Sequence, residues 1–185
     1  MSFADLLAID YGVIAVKEAL SGTTLADTGE GSYLARLKKA LSGPRPDLFV
    51  CQVSTNDAAR GVPPGSVRPA LTGEGFDAST TAGAMETALR LVREAWGCPA
   101  VFYTQPRYDS PAYAALVKLT EEISQKWGID VIDLWNDPAF ARLAPGARER
   151  FMADAIHPTA AGYRELWLPV FARALDGILA RAEQK

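Results

Sequence analysis

The sequence predicts a three-layer α/β architecture built on a mainly parallel sheet. Short apolar runs rich in β-branched residues alternate with longer segments of helical period, which is the pattern of repeated βαβ crossovers. The apolar runs are near-continuous rather than alternating, as in strands buried on both faces. With 49% hydrophobic and 22% charged residues in a chain of 185, the composition is that of one globular domain with a sizeable core.

Val13–Leu20 is expected as a strand, from the β-branched residues Val13, Ile14 and Val16. Ser32–Leu41 carries Leu34, Leu37 and Leu41 at helical spacing, with Ser32 as the N-cap and Gly43-Pro44 as the stop. Asp47–Ser54 is a buried parallel strand by its apolar run. Residues 59–79, rich in Gly, Pro and Ser, are expected as a long surface loop, often a functional feature in a compact domain. Thr81–Trp96 is helical, with Met85, Ala88, Leu89, Val92 and Trp96 on one face. Pro99–Thr104 is the next strand. Ser110-Pro111 then opens a helix with a cap and a first-position proline, its inner stripe being Leu116, Leu119, Ile123 and Trp127 and its end Gly128. Ile129–Leu134 is a further strand. The remainder reads as helical, broken near Pro145 and Pro158, with a last helix from about Thr159 to Ala182.

Charge and cysteine content narrow the function. There are 19 Lys+Arg against 22 Asp+Glu and a single His, for a formal charge of −3. Slight acidity without a basic cluster argues against nucleic acid or an anionic membrane as partner. Cys51 and Cys98 make no metal-binding spacing, and one His builds no His cluster, so a transition-metal site is not expected. Both thiols are expected to pack as small hydrophobes. No apolar stretch approaches the ~20 residues that span a bilayer. The N-terminus carries Asp5 and Asp10 and no basic start, unlike a signal peptide, so as written the chain is expected to be cytoplasmic.

In parallel α/β sheets ligands bind beyond the carboxyl ends of the strands. Three segments hold polar residues at such places or ahead of the last helix: Ser21-Gly22-Thr23-Thr24, Ser54-Thr55-Asn56-Asp57 and Asp154-Ala155-Ile156-His157-Pro158. Asp154 and His157 are three apart, so one turn brings carboxylate and imidazole together. The carboxylate then sets the tautomer and leaves the second ring nitrogen as a base near neutral pH. Gly22 has no side chain to shield its N–H and Asn56 has a side-chain amide to donate, but taken alone Asn56-Asp57 reads equally as a turn after a strand and Gly22 as an ordinary strand-end glycine. Asp57 is expected to bond loop backbone. Tyr103, Arg107 and Tyr108, at or after a strand end, are candidate pocket residues, and Arg107 reads equally as a solvated loop residue.

These blocks resemble the SGNH (GDSL-type) hydrolases, a family of esterases and lipases, over essentially the whole chain. The resemblance implies a flavodoxin-like fold and a serine-esterase activity without a cofactor, on a small-molecule ester. It implies His157 as base, Asp154 as its orienting group, and Gly22 and Asn56 as the oxyanion hole. The family's first block, a strand ending in G-D-S with the nucleophilic serine, has no counterpart. Only Met1 and Ser2 precede the segment Phe3–Tyr11, which matches the helix that follows that strand. A second departure is Ser54 in place of the family's glycine. Ser54 is also a candidate substrate contact, while Ser2 and Ser32 read better as helix starts. The nucleophile is therefore unassigned, and the chain is expected to be one SGNH-like domain, N-terminally incomplete and weak or inactive. With the nucleophile strand absent, Val13–Leu20 and Asp47–Ser54 are expected to pair directly, giving four parallel strands in chain order. A non-catalytic, ligand-binding SGNH-like protein is the alternative. An unrelated nucleotide-binding module is disfavoured because no strand leads into a Gly-rich phosphate loop.

Overall fold

The structure is a computed structural model that describes residues 1–68 and 75–182. The backbone groups into two compact units. One holds Glu18–Thr104 and Asp109–Val131; the other holds Met1–Lys17, Gln105–Tyr108 and the residues from Ile132 onward.

The first unit contains α2 (Tyr33–Ala40), β1 (Phe49–Gln52), α3 (Thr55–Ala59), α4 (Thr81–Ala95), β2 (Ala100–Tyr103) and α5 (Pro111–Trp127), while α1 (Phe3–Tyr11) belongs to the second. A third strand, β3 (Asp130–Ile132), completes a sheet of order β1-β2-β3. β1 and β2 run parallel in the register Phe49↔Ala100 to Gln52↔Tyr103, extended by a bond from the Val53 N–H to the Tyr103 carbonyl at 2.9 Å. The caps are those the sequence predicts. Ser32 accepts from the Ala35 N–H and Ser110 from the Tyr113 N–H, with Pro111 at the first helical position. Met85, Leu89 and Val92 of α4, Leu116 and Ile123 of α5, and Val101 and Phe102 of β2 are buried. Truncating one such side chain to Ala costs about 2–5 kcal/mol.

Two charged groups lie fully inside this unit. Asp57 accepts from the Leu25 N–H (2.7 Å), the Ala26 N–H (3.1 Å) and the Thr81 hydroxyl (3.0 Å), the loop-bonding role expected of it. Glu86 accepts from the Arg68 N–H and the Trp127 indole, each at 3.1 Å, and pairs with Lys126. Both satisfy the rule that a buried charge needs several partners. The loop expected at 59–79 begins after α3; its residues 69–74 lie outside the described residues.

In the second unit α1 packs on the C-terminal helix α9 (Leu168–Ala182), where the rings of Phe3 and Phe171 stack at 3.9 Å. Three short helices precede it: α6 (Pro138–Ala141), α7 (Pro145–Phe151) and α8 (Ala160–Gly162). The single helix expected from Thr159 is thus an α turn capped by Thr159, a π-helical turn over Tyr163–Trp167, and then α9. Trp167 is buried there, edge-on to Phe140 with ring centres 4.7 Å apart. No helix among the described residues is long and apolar enough to cross a membrane.

One predicted element is absent. Val13–Leu20 forms no strand, and every residue from Ile9 to Gly22 is exposed, Ile14 to 95% and Val16 to 81%. Among the described residues β1 is an edge strand bonded to β2, so the four-strand order and the direct pairing with Val13–Leu20 are corrected to a sheet of three strands there. A strand exists only where a neighbour receives its N–H and C=O groups, and β-branched residues alone do not supply one.

Candidate active site

Asp154 and His157 sit in a short loop closed at its base. Met152 and Pro158 form an antiparallel bridge, the Ala153 N–H donates to the His157 carbonyl at 2.8 Å, and the Thr159 N–H donates to the Phe151 carbonyl at 2.9 Å. Gly162 makes this closure possible, because a Cβ there would lie 2.1 Å from the Phe151 carbonyl oxygen. Within the loop, Oδ1 of Asp154 accepts from the backbone N–H groups of Ile156 (2.8 Å) and His157 (2.7 Å). Its Oδ2 lies 2.7 Å from Nδ1 of His157. The Ile156 N–H first, then the side chain and N–H of His157, hold the Asp154 carboxyl down at about 2. The ionised carboxylate accepts the Nδ1 proton and leaves Nε2, on the opposite side of the ring, as a proton acceptor. Both side chains are more than half exposed, 66% for His157 and 55% for Asp154, so the imidazole is open to solvent.

Gly22 and Asn56 meet in the other unit. Gly22 has φ +75°, a conformation that disfavours any side chain, and its carbonyl accepts from Arg60 Nη2 at 2.5 Å. The Asn56 side-chain amide donates to the carbonyl of Thr23, the next residue, at 3.0 Å. One amide hydrogen of Asn56 is thus committed, and the second has no partner among the described residues. Asn56 lies in α3, the single helical turn that directly follows β1. Ser54 caps that turn: it is fully buried and its Oγ accepts from the Asp57 N–H at 3.2 Å. We therefore assign Ser54 a capping role in place of substrate contact. Ser2 and Ser32 serve helix starts as well, Ser2 through its N–H and Oγ to the Asp5 carboxylate at 2.7 and 3.1 Å.

Tyr103 is half-buried at the end of β2. Beyond it Arg107 is exposed, with its guanidinium carbon 5.4 Å from the centre of the Trp135 ring and Nη2 donating to Asn136 Oδ1 at 3.1 Å. Tyr108 meets the same indole edge-on at 5.8 Å. Sequence reasoning missed Trp135, Asn136 and Arg60. The signal available for the first two was their position directly after the strand ending at Leu134; nothing local marks Arg60.

A family model of the GDSL-like lipase/acylhydrolase family matches residues 1–165. The chain belongs to that family, and its general function lies among the ester and acyl hydrolases. None of the curated proteins matches the sequence. Among solved structures, a protein from Lactobacillus plantarum aligns at 22% identity with a TM-score of 0.75, covering 98% of this chain and 88% of that one. A candidate GDSL-like lipase from Bacteroides ovatus aligns at 17% identity and TM-score 0.70, covering 95% and 78%. A candidate lipase from Chitinophaga pinensis aligns at 14% and 0.68, covering 94% and 87%. These likenesses establish the shared fold.

Proposed function

We propose that this chain takes carboxylic esters as ligands and that His157, oriented by Asp154, is the base for their hydrolysis. The observation that carries this is the 2.7 Å contact between Asp154 Oδ2 and His157 Nδ1, with Oδ1 tied to two backbone N–H groups. Gly22 N–H and the second Asn56 amide hydrogen are the proposed oxyanion donors. One such donor is worth roughly 3–4 kcal/mol of barrier in an acyl-transfer enzyme.

In the serine-esterase route a serine oxygen bonds the acyl carbon as His157 Nε2 takes its proton. The alkoxide leaves with that proton, and water repeats the sequence to release the acid. Ser2, Ser32 and Ser54 are committed to helix starts. On this reading the chain alone is a weak or inactive esterase, in which His157 activates water directly. The capped serines equally support the second reading, a ligand-binding member of the family without a nucleophile.

A serine-reactive fluorophosphonate and p-nitrophenyl acetate test this together. The expected result is no covalent labelling and a slow hydrolysis that His157→Ala reduces to the buffer rate. Stoichiometric labelling at Ser54 or Ser32 overturns the assignment of the nucleophile. A slow rate unchanged by His157→Ala overturns that of the base, and no rate above buffer selects the ligand-binding reading.

A further inference from the structure

We propose that Arg107 is a carboxylate-recognition residue, selecting ligands that carry a free carboxylate beside the ester group. That the carboxylate is borne by an ester rests on the hydrolase reading above; the recognition of the anion does not. Arg107 leaves the carboxyl end of β2, and Trp135 leaves that of β3, its neighbour in the sheet. That edge is where parallel α/β sheets bind ligands.

Two contacts hold the guanidinium ready. It lies over the Trp135 ring at 5.4 Å, and one nitrogen donates to Asn136 Oδ1 at 3.1 Å. Asn136 is fixed in turn by Asp133, which accepts from its N–H at 3.2 Å and from its side-chain amide at 2.6 Å. Stacking on an indole restrains the plane of the guanidinium and leaves its edge outward, while the single bond to Asn136 leaves donors for a two-pronged contact. The acceptor on Asn136 is a neutral amide, and no carboxylate pairs with Arg107 among the described residues. Its guanidinium is therefore not held in an ion pair, and its side chain is exposed. One positive charge balances a carboxylate. A phosphate monoester of charge near −2 would remain half compensated, with Asp133 close by on Asn136. The geometry thus favours the carboxylate.

The test follows, in the 15N-labelled chain, the Arg107 Nε–H resonance, assigned by its loss in Arg107→Lys, together with the backbone amide resonances of Tyr108 and Asn136, which report binding in the Arg107 variants as well. Monomethyl succinate, dimethyl succinate and methyl phosphate are titrated separately. The expected result is a saturable shift with monomethyl succinate, bound about tenfold more tightly than the neutral diester, and loss of that preference in Arg107→Gln. Arg107→Lys keeps the charge without the fork and is expected to retain only part of it. Equal binding of the diester, stronger binding of methyl phosphate, no binding at all, or a preference kept in Arg107→Gln overturns the proposal. Methanol release from both methyl esters is followed in the same tubes. If the carboxylate preference stands and no methanol forms, hydrolysis is refuted while the assignment of Arg107 holds.

Discussion

His157 Nδ1 lies 2.7 Å from Asp154 Oδ2, and the same carboxylate receives the His157 backbone N–H at 2.7 Å on its other oxygen. One residue thus fixes both the backbone and the ring of the other. The three-residue spacing makes this local, and the bridge between Met152 and Pro158 anchors the loop that carries it.

Replacing Asp154 by Ala removes the acceptor for the Nδ1 proton. The neutral imidazole is expected to shift from the Nδ1–H form towards the Nε2–H form, which has no free nitrogen facing outward. Ring 15N shifts at pH 8 report this directly. An unchanged tautomer in Asp154→Ala means that another group sets it.

The Asp154 carboxyl is lowered from 3.8 to about 2. A group whose pKa is depressed in the folded state contributes its stabilisation above its unfolded value and loses it as pH falls through the folded one. The loop at 152–158 is therefore expected to keep its hydrogen bonds at pH 4 and to lose them towards pH 2. The carboxyl 13C shift of Asp154 and the Ile156 and His157 amide shifts should titrate together. A midpoint near 3.8 contradicts this.

Asp57→Ala leaves the Leu25 and Ala26 N–H groups and the Thr81 hydroxyl without their acceptor inside the protein. Unsatisfied buried groups cost ~1–3 kcal/mol each, partly relieved by water, so a loss of about 3–5 kcal/mol is expected in urea unfolding. A loss under about 1 kcal/mol would show that the network is dispensable.

Burial pushes the Cys51 thiol up to about 12, and the Asp57 charge adds to it. Thiolate is the reactive form, so Cys51 is expected to resist a disulfide reagent at pH 8 in the folded chain and to react at once in denaturant. Rapid native labelling at Cys51, located by mass spectrometry, contradicts its burial.

What the sequence by itself determined is local. Ser32, Ser110 and Pro111 mark helix starts because a cap needs only a side chain and the next turn. The apolar runs around Cys51 and Phe102 mark β1 and β2, since such runs are stable only when covered. The Asp154–His157 pair was legible for the same reason, lying within one turn. The tertiary structure alone decided the rest. Val13–Leu20 has the composition of a strand, yet it is exposed, because strand formation depends on a partner edge that the segment itself does not encode. Ser54 looked available to a ligand until α3 formed and enclosed its hydroxyl. Arg107 became a poised cation only when Trp135 and Asn136, distant in sequence, came beneath and beside it. Contacts between residues far apart in the chain are set by packing, and no short-range pattern records them.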